Sequence, residues 1–259
     1  MKPPLIVFTD LDGTLLDHRT YSFAPAQAAL DRLAALRVPL ILASSKTAAE
    51  IAVVRESLGR IECPSIVENG AGILEPGDRT EDGCETYARL RAALDAVPPD
   101  LRRAFAGFGD LGVEGVAGAT GLPPESAARA VQRRFSEPGI WSGSTADLEA
   151  FLGALGAQGV TARRGGRFLT LSLGGTKADR MGDIAGRYRS PPRVAAGDAP
   201  NDVEMLAAAD FGIIVANPGG APLPTQPGEA EGRVRRTHTP GPEGWNRAML
   251  DLLDHLELT

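Results

Sequence analysis

Short, dense apolar runs alternate along this chain with longer segments in which apolar positions recur every three to four residues. The runs predict strands over 5–9, 39–44, 65–68, 194–197 and 211–216. The periodic segments predict helices over 25–37, 47–58, 177–188, 202–209 and 245–256. In the last of these Trp245, Met249, Leu252, Leu253 and Leu256 share one helical face and should pack on a sheet. Strands alternating with helices in this way predict an α/β protein whose parallel sheet is flanked by crossover helices.

The middle of the chain reads differently. Helix patterns over 86–96, 125–134 and 145–155 are mixed with strand-like runs over 134–141, 160–163 and 168–173, and glycine-rich turns fall at 153–159 and 165–166. An α+β cap at 83–173, inserted between core segments 1–82 and 174–259, accounts for this change. Stretches 75–78 and 174–176 serve as hinges, since glycine absorbs large backbone rotations. The Pro- and Gly-rich stretch 217–232 reads as a surface loop.

Composition narrows the functional classes. With 259 residues, 43% hydrophobic, and a net charge of −6, the chain suits a globular protein and argues against a broad nucleic-acid surface. A small anionic substrate needs only a local basic pocket and remains open. No apolar stretch is long enough to span a bilayer, and Met1-Lys2-Pro3-Pro4 lacks the apolar region of a signal peptide, so no membrane partner and a cytoplasmic location are expected. Cys63 and Cys84, with His18, His238 and His255, are too scattered to suggest a zinc site or a disulfide framework. Lysine occurs only at Lys2, Lys46 and Lys177, arginine supplying every other basic side chain; the two internal lysines mark places where a compact ammonium suits its surroundings.

The first strand empties into Asp10-Leu11-Asp12-Gly13-Thr14. Two acids two residues apart at a strand end point the same way, Gly13 permits a sharp turn, and Thr14 adds a hydroxyl. Such a nest of hard oxygen ligands suits Mg²⁺, and a carboxylate held there can attack phosphorus, although Asp and Gly are also common where strands exit into turns. Three later segments have matching character. Ser44-Ser45-Lys46-Thr47 joins a strand end to a helix start, where hydroxyls and free amides hold phosphate or simply cap the helix. In Gly174-Gly175-Thr176-Lys177-Ala178-Asp179 a capping box of Thr176 and Asp179 puts Lys177 in a first helical turn, where the helix dipole disfavours a cation unless an anion compensates. Gly197-Asp198-Ala199-Pro200-Asn201-Asp202 again runs from a strand into acids at a helix head, with Asn201 and Glu204 reading as a further capping box. Asp198 and Asp202 can both face a metal above the sheet.

In order and spacing, Asp10 to Thr14, Ser44, Lys177 and Gly197 to Asp202 resemble the four motifs of the haloacid dehalogenase superfamily. The cap position resembles the branch of its phosphatases that carries an α+β (C2B-type) cap. Ser44-Ser45-Lys46-Thr47 departs from the Thr-Gly-Arg common in that branch. Together with Phe135-Ser136-Glu137-Pro138-Gly139-Ile140-Trp141 and Gly241-Pro242-Glu243-Gly244-Trp245, it is similar to the mannosyl-3-phosphoglycerate phosphatase family. The resemblance implies a Rossmann-like sheet core with a cap, and hydrolysis of a phosphorylated sugar acid with Mg²⁺ through an aspartyl phosphate. It implies Asp10 as nucleophile and Asp12 as proton donor and then base. Mg²⁺ would be held by Asp10, the backbone carbonyl of Asp12, and Asp198, with Asp202 acting through water or by orienting the others. Ser44 and Lys177 would grip the phosphoryl oxygens, with Asn201 helping to position the lysine or the phosphate.

Substrate choice is expected in the cap, where Arg133, Arg134, Glu137, Arg163, Arg164 and Arg167 sit near strand ends. A glycerate carboxylate suits a guanidinium and a sugar hydroxyl suits an acceptor, which favours Arg167 and Glu137; Ser45, Lys46 and Thr47 could contact substrate from the core side. Glucosyl-3-phosphoglycerate, sucrose phosphate or another sugar phosphate are alternative substrates, and a sugar phosphomutase is an alternative activity. Nothing in the sequence predicts the oligomeric state.

Overall fold

A computed structural model of the chain describes residues 2–78, 84–165 and 167–258. Asp82 and Gly83, where the expected core–cap junction falls, and Gly166 of an expected turn lie outside these residues. The chain divides into two compact units, one of Met1–Ser44, Arg60–Pro76 and Thr176–Thr259, the other of Ser45–Gly59 and Gly77–Gly175.

In the first unit, strands β1 (Ile6–Thr9), β2 (Leu40–Leu42), β9 (Arg193–Gly197), β10 (Phe211–Ala216) and β11 (Val234–Pro240) form one sheet in the order β11-β10-β9-β1-β2. Every pairing is parallel. All residues of β1 and β2 are buried, as expected of parallel strands covered on both faces. A short antiparallel hairpin, β3 (Ser65–Val67) and β4 (Gly72–Leu74), adjoins β2 through a single bridge between Ala43 and Ile66. The predicted strand over 39–44 thus stops at Leu42, while the Ala43 amide still bonds the Thr9 carbonyl at 2.8 Å and the Ser44 amide turns to the Ile66 carbonyl at 3.0 Å.

The covering helices of this unit are α1 (Gln27–Ala35), α8 (Lys177–Arg187), α9 (Val203–Ala208) and α10 (Gly241–His255). Met181, Ile184 and Ala185 of α8 and Met205 and Leu206 of α9 join Ile6, Phe8, Ile41, Ala195 and Ile214 of the strands in one core. Helix α10 buries Trp245, Met249, Leu252 and Leu253, and it begins four residues before the predicted start. Gly241 and Pro242 occupy its first turn, where Pro242 has no amide to lose. A Cβ on Gly244 would lie 1.8 Å from the carbonyl oxygen of Thr239, so glycine lets the helix start close to β11. Strand β11 itself escaped the sequence reading because it is an edge strand, with polar or charged residues at most positions and only Val234 fully buried.

The second unit holds α2 (Ala48–Ser57), α3 (Glu85–Asp95), α4 (Pro99–Arg102), β5 (Phe105–Gly107), α5 (Phe108–Thr120), α6 (Pro124–Ala130), β6 (Ser136–Trp141), α7 (Thr145–Gly156), β7 (Thr161–Gly165) and β8 (Phe168–Ser172). Its four strands form an antiparallel sheet in the order β5-β6-β8-β7. Leu90, Leu94, Phe151, Leu155, Leu169 and Leu171 pack around Phe105, whose ring stacks on Phe151 at 5.5 Å. The helix predicted over 125–134 ends at Ala130, and the strand predicted from residue 134 begins at Ser136. Between them the chain turns tightly, the Arg133 amide bonding the Val131 carbonyl at 2.8 Å. The buried Arg133 guanidinium bonds Ser136 Oγ at 2.7 Å, so this arginine ties the turn to β6. Among the described residues no helix is long and apolar enough to cross a membrane.

Candidate active site

The site is built where neighbouring parallel strands end, the usual place for ligands in open α/β sheets. Asp10 follows β1, and its amide bonds the Ala196 carbonyl at 2.8 Å, so it is held as a last rung between β1 and β9. Beyond it the chain turns back on itself at Gly13, which has φ +83°. A Cβ there would fall 2.8 Å from Asp198 Oδ2, so only glycine lets the turn approach the acid that follows β9. Thr14 completes this approach, donating to Asp198 Oδ1 at 2.8 Å.

Lys177 reaches the same place from the first turn of α8. Thr176 caps that helix as its spacing with Asp179 predicts, the hydroxyl accepting from the Asp179 amide and the Asp179 carboxylate accepting from the Thr176 amide. The buried Lys177 ammonium donates to Asp10 Oδ1 at 2.6 Å and to Asp202 Oδ1 at 2.7 Å. The other oxygen of Asp202 accepts from the amides of Asp198 at 3.2 Å and Ala199 at 3.1 Å. Asn201 is not the helix cap that its spacing with Glu204 suggested: it lies inside a 3₁₀ turn, Pro200–Asp202, that precedes α9, and the Asp202 carboxylate accepts from the Ala199 amide ahead of that turn. Asn201 Nδ2 donates to Asn69 Oδ1 at 3.0 Å.

Carboxylate oxygens of the buried residues Asp10, Asp198 and Asp202 all lie within 4.8 Å of one another. Burial pushes the Asp10 carboxyl well above the ordinary range, against the pull of the Lys177 ammonium. Asp198 is likewise raised by burial, with the hydrogen bond from Thr14 opposing. Burial also disfavours the charge on Lys177, but Asp10 and Asp202 outweigh it and hold the ammonium charged well above neutral pH. When all three carboxylates are ionised, this one ammonium leaves two negative charges in excess. A set of hard, buried oxygen donors with that deficit fits a divalent cation such as Mg²⁺.

The remaining predicted residues fall in distinct places. Asp12 is half-buried, forms a bridge with Leu16, and stands outside the three-acid group. Ser44 is buried at the end of β2, its amide bonding the Ile66 carbonyl at 3.0 Å. In the second unit Ser45 is exposed and Lys46 half-buried. Thr47 caps α2, accepting from the Glu50 amide at 3.2 Å and donating to the Arg129 carbonyl at 3.0 Å. Glu137 is enclosed on β6 and accepts from Tyr87 Oη at 2.5 Å, Arg91 Nη1 at 3.1 Å and the Gly109 amide at 2.8 Å. Those three donors make it an internal anchor of its unit. Arg167 is exposed; it donates to the Ala119 carbonyl at 2.6 Å and lies over the Phe168 ring. Arg163 and Arg164 are exposed on β7.

Two residues near the acids escaped the sequence reading. Asn217, directly after β10, donates from Nδ2 to Asp198 Oδ2 at 2.6 Å. A polar residue ending an apolar strand beside β9 was the available signal. His18 Nε2 lies 3.9 Å from the same oxygen, placed there by the turn through Gly13.

The profile of haloacid dehalogenase-like hydrolases matches residues 7–85. The chain belongs to that family and is one of its phosphoric monoester hydrolases. It is 34% identical to the glucosyl-3-phosphoglycerate/mannosyl-3-phosphoglycerate phosphatase of Methanococcoides burtonii, across 96% of this chain and 97% of that one. An enzyme of the same name from Persephonella marina is 30% identical across 98% of each chain. Among solved structures, the sucrose-phosphatase of a Synechocystis species in complex with sucrose and phosphate shares the fold, with a TM-score of 0.61, 16% identity and all of both chains covered.

Proposed function

We propose that this enzyme removes phosphate from a phosphorylated sugar acid, mannosyl-3-phosphoglycerate or its glucosyl counterpart, releasing the glycosylglycerate and inorganic phosphate. The observation that carries the chemistry is the buried Lys177 ammonium bonded to Asp10 Oδ1 at 2.6 Å beside two further acids. The end-to-end identity with two phosphatases named for those substrates supports the substrate class.

Asp10 is the nucleophile. Its free oxygen attacks phosphorus in line, the bond to the leaving oxygen breaks, and the phosphoryl group is carried briefly as an aspartyl phosphate. Asp12 gives a proton to the departing sugar-acid oxygen and then takes one from the water that hydrolyses the intermediate. Lys177 and the Ser44 hydroxyl hold the phosphoryl oxygens. Asp10, Asp198 and the Asp12 carbonyl would hold Mg²⁺; both oxygens of Asp202 already accept from N–H groups, which suits it to orienting Lys177 and the Asp198 loop. Mg²⁺, when bound, offsets the excess negative charge so that the phosphate can approach the carboxylates. Residues 83–173 act as the specificity cap, with Arg167 as the guanidinium for the glycerate carboxylate and Ser45 and Lys46 as further substrate contacts.

Phosphate release is measured from mannosyl- and glucosyl-3-phosphoglycerate, sucrose phosphate and simple hexose phosphates, with Mg²⁺ and with chelator. Strong preference for the phosphoglycerates, loss of activity in chelator, and loss in Asp10→Asn are expected. A flat panel sinks the substrate assignment, an indifferent chelator sinks the metal role, and an active Asp10→Asn variant sinks the nucleophile.

A further inference from the structure

After β3 the backbone does something costly. Glu68, Asn69 and Gly70 have φ of +53°, +60° and +91°, three left-handed residues in succession, of which only the last is glycine. Side chains resist this region, Asn less than most, and runs of it persist only where the surroundings over-determine them. The surroundings here are the three segments of the phosphoryl site. The Asn69 amide donates to the carbonyl of Ser44 at 2.9 Å. Its side-chain Oδ1 accepts from Asn201, the residue before Asp202, at 3.0 Å. Gly70 lies against the start of α8: a Cβ on it would be 2.1 Å from the carbonyl carbon of Thr176 and 2.4 Å from the amide nitrogen of Lys177. Arg180 of the same helix donates from Nε to the Gly70 carbonyl at 3.0 Å. One turn therefore touches the segments that carry Ser44, Lys177 and Asp202, although no motif in the sequence reading included it.

We propose that Asn69 is a positioning residue, whose amide and side chain together fix the Ser44 strand end relative to the Asn201-Asp202 turn. It sets the spacing between the hydroxyl and the ammonium that hold the phosphoryl group. The inference rests on the phosphatase reading above. A turn that served only packing would not need an asparagine facing another asparagine across two site segments. Loss of its amide would lower melting temperature without a selective effect on phosphate handling.

Three variants separate the contributions. Asn69→Gly keeps the left-handed backbone and removes the side chain, Asn69→Asp keeps an acceptor for Asn201, and Asn201→Ala removes the donor. Each is assayed, alone and as the Asn69→Gly/Asn201→Ala pair, for kcat and KM on an aryl phosphate and on the sugar-acid phosphates. Inhibition by inorganic phosphate and the melting temperature are recorded in parallel. Asn69→Gly is expected to lower kcat/KM about tenfold on every substrate and to weaken phosphate inhibition similarly, as removal of a partner that orients a ligand-holding group does. Asn69→Asp should recover most of that loss. Asn201→Ala should match Asn69→Gly, and the double variant should be no worse than either, because both remove one interaction. Parental kinetics in Asn69→Gly, or losses that multiply in the double variant, overturn the proposal. If Asn69→Gly fails to fold, Asn201→Ala on its exposed turn decides the question by the same criterion. A parent enzyme that releases phosphate while all variants equal it sinks the positioning role alone; a parent inactive on every phosphomonoester sinks the phosphatase reading and this inference with it.

Discussion

Lys177 donates to Asp10 across 2.6 Å, although 167 positions separate the two in the chain. The ammonium is buried at a helix start, where Asp202 is its second carboxylate partner, and the Asp10 carboxylate is buried beside two more acids.

Lys177→Met should therefore do more than slow the reaction. Breaking one partner out of a buried pair leaves an uncompensated charge and costs about 3–5 kcal/mol. Urea unfolding should show a loss of that order without metal and a smaller one in saturating Mg²⁺, which supplies the missing positive charge. Equal losses in both conditions would detach Lys177 from the charge balance of the site.

Asn217 holds one oxygen of Asp198 while Thr14 holds the other, so the carboxylate enters any metal shell already aimed. Asn217→Ala should weaken Mg²⁺ affinity about 10- to 100-fold, with little change in metal-free melting temperature. A Mg²⁺ titration followed by activity and by calorimetry measures this, and unchanged affinity would leave the contact without consequence for the metal.

Proton and metal compete for Asp10 and Asp198, and burial raises both carboxyls. A group with a raised native pKa stabilises the fold fully below its unfolded pKa, about 3.9 for Asp, and that contribution is lost as pH rises through the native value. The metal-free protein should thus lose stability across the window above ordinary carboxylate titration, where Mg²⁺ binding strengthens. Melting curves with and without Mg²⁺ should separate progressively with pH and then run parallel once both acids are ionised. A separation that does not vary with pH would contradict the raised pair.

Arg167→Ala should raise KM for a carboxylated sugar phosphate and spare an aryl phosphate. The test matters because Arg167 already has neighbours in the Ala119 carbonyl and the Phe168 ring. Equal effects on both substrates would assign those neighbours, and not substrate, as its role.

The acids and the lysine were legible because each sits where an apolar run or a capping pattern stops, and such boundaries follow from local chemistry. That β1 and β9 lie side by side, bringing Asp10 and Asp198 together, is a matter of strand order and is not written in either run. Helix α5 was missed for a related reason: Gly109, Gly112, Gly115 and Gly118 dilute its periodicity, and Gly112 breaks it with φ +63°. Glu137 shows what such boundaries leave out. The acid sits near a strand end, and Tyr87 and Arg91 of α3 and the Gly109 amide of α5 converge on it from two other elements, which no local pattern reports. Asn201 and Glu204 had the spacing of a cap, but a 3₁₀ turn begins at Pro200, so Asn201 lies inside that turn and the Ala199 amide ahead of it bonds Asp202.

Strand β1 is flanked by β2 on one side and β9 on the other, and the amide of Asp10 continues that pairing past the strand's end. Its amides therefore bond within the sheet, with β9 and β10 between them and the edge strand β11, so local fraying at β11 does not reach them. Hydrogen exchange at Asp10 should wait for the unit to open as a whole. On heating, Asp10, proposed above as the nucleophile, should keep its place until its unit unfolds cooperatively, so inactivation and loss of that unit's fold are expected to coincide as one event.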